Sequence, residues 1–357
     1  MISVVKKDIN TLIDRCPYIE DFRDKTILIT GANGLIAKYL TYFFLEMNRE
    51  CNTNTKVVAL VRNKEKAMDA FGEFIDDGSL ILLNQDVCEP INYDGDVDYI
   101  FHAAGSASAY AIKTDPVGII KANTLGTISV LEFARKKNVK CVLFPSTREI
   151  YGKVEGVEEI TENDMGVMNP LESRSCYPES KRLAEALFES YYNQYGVPYI
   201  VLRIAHTYGP TMQISKDGRV MSDFIGAVVN NENIVLNSDG TAIRSFCYVT
   251  DTVEGIIDTM IKGEICSAYN LSNESEPYMI RDVAEELVQI YPEKGLKVEF
   301  SNPSDEVKKG YVNYKIVKLD TSKLEELGWS PKVKLSDGMK RTLDYFDEEM
   351  KLTKKMN

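Results

Sequence analysis

The chain has 357 residues, 44% of them hydrophobic and 27% charged, with a formal net charge of −12. So acidic a chain speaks against nucleic acid as a partner, because phosphate backbones are held by clustered Lys and Arg. Seven cysteines stand singly with no CxxC pair, which fits a reducing cytoplasm, and two histidines are too few for a His-built metal site, so no metal is expected. Met1–Asn10 lacks the apolar core of a signal peptide, and no run of about 20 apolar residues is present, so no membrane partner is expected.

In chain order, residues 1–24 read as a short helical extension, with Ile9, Leu12 and Ile13 on one face. Lys25–Thr30 is a buried strand. Gly31 follows at once, and Leu35, Ile36, Tyr39, Leu40, Phe43, Phe44 and Met47 then recur at helical spacing. Further strands are predicted at Val57–Val61, Ser79–Leu83, Val97–His102, Val139–Pro145 and Tyr199–Ile204, and long helices at Val117–Lys137 and Pro178–Tyr195. This alternation predicts an α/β fold, a doubly wound parallel sheet of the Rossmann kind. Residues 25–205 are assigned to the dinucleotide-binding domain, with a returning segment near 243–262. Residues 206–350 are assigned mostly to a smaller C-terminal substrate-binding lobe. Trp329 and Tyr345 read as core, and His102, ending an apolar strand, as a packed or capping histidine.

Thr30-Gly31-Ala32-Asn33-Gly34-Leu35-Ile36-Ala37 lies between strand and helix. Gly31 and Gly34 permit a tight turn and close approach of backbone to a pyrophosphate. The N–H groups near Asn33, Leu35 and Ile36 would face the phosphates, aided by the helix dipole. Asp86 and Val87, after the third strand, are placed to meet an adenine. Ala103, Ala104 and Gly105 supply small residues where backbone passes a cofactor. The second strand ends Val61-Arg62-Asn63 with no acid, so Arg62 leans toward NADP by electrostatics; the other reading stacks it on the adenine of NAD.

Tyr177 and Lys181 stand at i and i+4 on one helical face. A phenol needs a neighbouring cation to act as a base near neutral pH. With the glycine turn, Ala103-Ala104-Gly105, Ser146-Thr147-Arg148-Glu149-Ile150-Tyr151-Gly152 and Tyr208-Gly209-Pro210, this pair resembles the extended short-chain dehydrogenase/reductases, the NAD-dependent epimerase/dehydratase family, over roughly residues 25–345. The stretches Arg174–Arg182, Asp217–Ile225 and Arg244–Val249 are most similar to the UDP-glucuronate decarboxylases (UDP-xylose synthases) within it.

The resemblance implies a soluble, cytoplasmic enzyme that oxidises C4 of a nucleotide sugar with a retained NAD and serves polysaccharide biosynthesis. It makes Tyr177 the base, and Lys181 and Asn123 neighbours of the cofactor. Thr147 would hold the sugar hydroxyl, and Glu149 would be the acid near C5. His206, Arg219 and Arg244 would face the substrate diphosphate. Three departures stand out. Arg148 replaces a small residue, His206 replaces an Asn, and a Lys near Lys315–Asp320 replaces an Arg. Arg148 speaks against a 4,6-dehydratase, which needs an acid there, and could clamp a uronate carboxylate. Its alternative is an outward ion pair with Glu155 or Glu158. Arg219 and Arg244 have a salt-bridge alternative, and Glu149 a solvated one. C4-epimerisation and NADPH-dependent keto-sugar reduction remain the rival reactions. The family also implies a homodimer through the two long helices.

Overall fold

A computed structural model describes residues 1–215, 217–301 and 317–356. The central sheet has seven parallel strands. They are β1 (Thr26–Thr30), β2 (Lys56–Val61), β3 (Leu80–Asn84), β4 (Tyr99–His102), β5 (Cys141–Thr147), β7 (Tyr199–Ile204) and β12 (Ser267–Leu271), in the order β12-β7-β5-β4-β1-β2-β3. The expected doubly wound parallel sheet is therefore present, with every predicted strand in it. β12 is the addition: Ser267-Ala-Tyr-Asn-Leu is too polar to read as a buried strand.

Among the described residues there are also four two-stranded pieces: β6 (Glu159–Ile160) with β15 (Lys318–Leu319), β8 (Thr207–Tyr208) with β11 (Cys247–Tyr248), β9 (Ile234–Leu236) with β14 (Val298–Phe300), and β10 (Ile243–Ser245) with β13 (Pro277–Met279). The helices are α1 (Ser3–Arg15), α2 (Leu35–Cys51), α3 (Lys64–Phe71), α4 (Ala109–Thr114), α5 (Pro116–Lys137), α6 (Cys176–Tyr195), α7 (Val220–Val229), α8 (Val249–Lys262), α9 (Ile280–Ile290), α10 (Ser322–Glu325) and α11 (Leu335–Met356).

Local chemistry explains the element ends. Asp115 caps α5 by accepting from Gly118 N, ahead of Pro116 at the first helical position. Asn138 closes that helix in the left-handed conformation, and Gly196 does the same for α6. One apolar layer joins α1, α2, α8, α9 and α11 to one sheet face, while α5 and α6 cover the other. Helix α5 is long and apolar enough by composition to cross a membrane, although polar residues interrupt its apolar run; here it packs along α6.

The register aligns the carboxyl ends of the strands. Thr30 pairs with Leu60 on one side and His102 on the other, and Ile204 pairs with Thr147 and Leu271. The strand order reverses between β1 and β4, which opens a crevice where ligands bind in such sheets.

Candidate active site

The glycine turn is built against the end of β4. Gly31 has φ +67°, and a Cβ there would stand 2.8 Å from the Ala103 carbonyl oxygen and 2.9 Å from Ala104 Cα. No side chain caps α2, whose N-cap is Gly34, so its first N–H groups, at Leu35 and Ile36, have no side-chain acceptor there. Asn33 Nδ2 donates to Asn63 O at 3.0 Å, while its Oδ1 is buried without a partner among the described residues. Asn123 Oδ1 is likewise buried and unpartnered, beside Gly105. Free helix-end amides, two orphaned amide groups and a cradle that tolerates no Cβ fit a dinucleotide with its pyrophosphate at α2.

His102 ties this wall together. Thr127 Oγ1 donates to Asn123 O at 2.7 Å, so it must accept from His102 Nε2 at 3.1 Å. His102 Nδ1 then accepts from Thr30 Oγ1 at 2.9 Å, and Thr30 accepts from Ala104 N at 3.0 Å. Burial pushes this histidine down to about 3, so the tautomer is neutral and fixed. It holds the Ala103–Ala104 backbone in place.

At the far end, Asp86 accepts from Cys88 N at 2.9 Å, and that bond, with the charge of Arg62, holds its carboxyl below the usual range. Val87 is buried against Gly126 of α5. Asn63 caps α3 through Lys66 N, so neither of the two residues after β2 offers an acid.

The groups expected to react meet where β5 ends against α6. Thr147 closes the strand, and Tyr177 and Lys181 project from the first two turns of the helix; all three are buried. Burial raises Tyr177 well above its ordinary value and Glu149 adds to this, while Thr147, Arg219 and Arg174 oppose it. Burial pushes Lys181 down to about 7, with Glu185 opposing. Its ammonium donates to Pro145 O at 2.9 Å and lies over the Phe144 ring. Asn123 Nδ2 donates to Ser180 Oγ at 2.9 Å, which fastens α5 to the catalytic helix.

Behind them Glu185 accepts from Ser146 Oγ at 2.5 Å and pairs with Arg203 at 2.8 Å. This buried network escaped the sequence reading, although Glu185 stands one helical turn beyond Lys181. Arg174 escaped it too. Its Nη2 donates to Glu149 Oε1 at 2.6 Å, with both side chains about a quarter exposed.

The residues expected to hold the substrate, Arg148 at a uronate carboxylate and His206, Arg219 and Arg244 at the diphosphate, come from separate elements. Arg148 donates to Val317 O at 2.8 Å. His206, at φ 46°, directs Nδ1 to Ser245 O at 3.1 Å. A carbonyl only accepts, so Nδ1 carries the proton and Nε2 presents a lone pair. Burial first, then Arg148 and Arg244, push this histidine down to about 3. The structure thus brings Arg148, His206 and Arg244 together. Arg219 forks onto Asp217 at 2.6 Å in both contacts, and its charge reaches Tyr177. Glu155 pairs with Lys153 at 2.6 Å. Lys315 lies outside the described residues, and Lys318 pairs with Glu159 at 2.6 Å. Among the described residues no cluster of ligands suits a metal.

The pattern that defines the NAD dependent epimerase/dehydratase family matches residues 27–272. The chain is 35% identical to UDP-glucuronic acid decarboxylase 6 of Arabidopsis thaliana over 88% of its own length and 86% of that protein. It is 32% identical to UDP-glucuronic acid decarboxylase 1 of Xenopus tropicalis over 93% of its length and 75% of that protein. In fold it is similar to a UDP-glucuronic acid 4-epimerase from Bacillus cereus in complex with UDP-glucuronic acid and NAD, with TM-score 0.76, 22% identity, and coverage of 91% of this chain and 99% of that one. The chain belongs to the NAD-dependent epimerase/dehydratase family. It is an enzyme of that family, and its cofactor is NAD.

Proposed function

We propose that this enzyme decarboxylates UDP-glucuronate to UDP-xylose. The observation that carries the reading is likeness to decarboxylases at 32–36% identity over about nine-tenths of the chain, joined to an oxidising group with Arg148 beside it. Bound NAD supplies a hydride acceptor that returns what it takes, so no external reductant is consumed. Gly31, Asn33, Gly34, Leu35, Ile36 and Asn123 hold it, with Ala103–Gly105 as the wall, Arg62, Asp86 and Val87 at the adenosine end, and Lys181 at the nicotinamide ribose.

Tyr177 takes the proton of the C4 hydroxyl, aided by the Lys181 charge, while Thr147 fixes that hydroxyl. A C4 ketone makes C6 a β-keto carboxylate, so the C5–C6 bond breaks, CO2 leaves and the electron pair remains as the C4–C5 enolate. Glu149, held by Arg174, directs a proton to C5. Tyr177 returns its proton to the C4 oxygen at the end. Arg148 is assigned to the uronate carboxylate and Arg219 and Arg244 to the diphosphate, while His206, whose Nε2 only accepts, is assigned to a substrate hydroxyl beside it. On this reading residues 206–350, apart from the returning segment near 243–262 and strand β12 of the central sheet, form most of the substrate lobe, and 1–24 is an extension.

The test is incubation of the purified protein with UDP-glucuronate, without added reductant, and mass spectrometry of the product. Loss of the mass of CO2 is expected. Unchanged mass with a shifted chromatographic peak would make it a C4-epimerase, and a requirement for NADPH would make it a keto-sugar reductase.

We also propose a cytoplasmic homodimer. Val117, Ile120, Leu125 and Ile128 of α5 and Leu183 of α6 are exposed apolar residues on the two long helices. Sedimentation showing only monomer at micromolar concentration would refute the dimer.

A further inference from the structure

Helix α1 precedes the residues matched by the family pattern, yet it carries a buried carboxylate bonded to Tyr248 of β11. Asp8 is 2% exposed. Its Oδ2 accepts from Tyr248 OH at 2.6 Å and from Tyr39 OH at 3.1 Å, and its Oδ1 from Arg341 Nη1 at 3.1 Å. Tyr39 lies on α2 and Arg341 on α11, so one carboxylate joins three helices to β11.

From β11 the connection is short. Tyr248 is in register with Tyr208 of β8, and their rings meet edge-on at 5.6 Å. Tyr208 OH donates to Leu335 O at 3.1 Å, and Gly338 of α11 leaves the space both rings occupy. The same strand pair begins at His206, whose carbonyl accepts from Cys247 N at 3.2 Å and whose ring donates to Ser245 O. Arg244 is the next residue back. His206 stands just ahead of β8, and Arg244, on β10, just ahead of β11, so the strand pair that follows both is fixed at its far end by Asp8.

We infer that Asp8 is a positioning residue for nucleoside-diphosphate binding: α1 is a brace that sets the β8–β11 pair through Tyr248, and with it His206 and Arg244. The inference rests on the proposal that Arg244 faces the diphosphate and His206 accepts from a hydroxyl of the same nucleotide sugar. A helix packed only for stability has no use for a carboxylate here. Burying one carries a desolvation cost, and an apolar residue of similar volume is commonly neutral or stabilising in such a place. What the carboxylate adds is direction, since it fixes two phenols and a guanidinium at once.

The experiment is calorimetric titration of UDP into the NAD-loaded enzyme. Asp8→Ala and Tyr248→Phe are each expected to weaken UDP binding about fivefold or more, with NAD content unchanged. Tyr248→Phe removes one hydroxyl only and so covers the case in which Asp8→Ala fails to fold. Asp8→Asn, which keeps an acceptor for the phenols, should fall between Asp8→Ala and the parent. Leu12→Ala, on the buried face of the same helix, should lower the melting temperature without moving UDP affinity. The brace is overturned if UDP affinity in Asp8→Ala and Tyr248→Phe stays within about twofold of the parent, or if Leu12→Ala weakens UDP equally. A parent enzyme that does not bind UDP removes the diphosphate reading itself, and the brace with it.

Discussion

The two sides of the crevice are made of different material. The cofactor side is backbone and small side chains: Gly31, Gly34, Ala103, Ala104 and Gly105, held by the His102 chain of hydrogen bonds. Its open valences, at Asn33 Oδ1 and Asn123 Oδ1, lie on this side. On the proposed assignment the sugar side is made of long polar and charged side chains from separate elements, and these are already engaged: Glu149 with Arg174, Arg219 with Asp217, His206 with Ser245. One wall is preformed for its ligand. The other must exchange protein contacts for substrate contacts, so small changes in its sequence can redirect the chemistry without disturbing the fold.

The largest expected effect breaks the boundary between the two walls. Tyr177→Phe should lower kcat by about a hundredfold to ten-thousandfold while bound NAD is retained; product formed at the parent rate would remove Tyr177 from the reaction. Next, Gly31→Ala tests the backbone wall. The positive φ and the Ala103 carbonyl give about 1–3 kcal/mol of strain. The purified protein should then carry much less NAD, read by absorbance after denaturation, and a full complement of NAD would show that the turn can yield.

Arg148→Ala tests the other wall. Affinity for UDP-glucuronate should fall about tenfold or more, with affinity for UDP-glucose little changed. An equal change for both would move Arg148 to the diphosphate, and no change for either would remove it from the site. The smallest effect concerns stability. Burial takes Lys181 from 10.5 to about 7 in the protein without cofactor. Between those values the unfolded chain binds a proton that the folded chain does not, so this group makes stability rise with pH across that window. Lys181→Met should flatten that rise, measured as urea midpoints of NAD-free protein at about pH 7 and about pH 9. An unchanged slope would show that Lys181 is not desolvated as the structure implies.

The same contrast explains what could be read without coordinates. The cofactor wall is legible because its requirements are local: a strand, Gly31 and Gly34, then a helix, all within a few residues. The Tyr177–Lys181 spacing is legible for the same reason. Glu149 and Arg174 are 25 residues apart and on different elements, so no periodicity announces their pairing. The tautomer of His206 depends on one carbonyl of Ser245, 39 residues away, and residue type alone suggests a donor to phosphate where the fold presents an acceptor. Strand β12 escaped because its polar residues are satisfied by distant partners: Asn270 bonds Tyr151, Ile160, Asp320 and Glu162.

The Asp8–Arg341 pair joins residues 333 positions apart. During synthesis the dinucleotide half can assemble from neighbouring strands and helices as they emerge. The latch on β11 cannot close until α11 has been made, because Arg341 and Gly338 belong to it. Contacts of such separation are late and slow to form. If Asp8 is the brace proposed above, a ribosome-bound chain lacking α11 is expected to bind NAD before it binds a sugar nucleotide, an order set by translation.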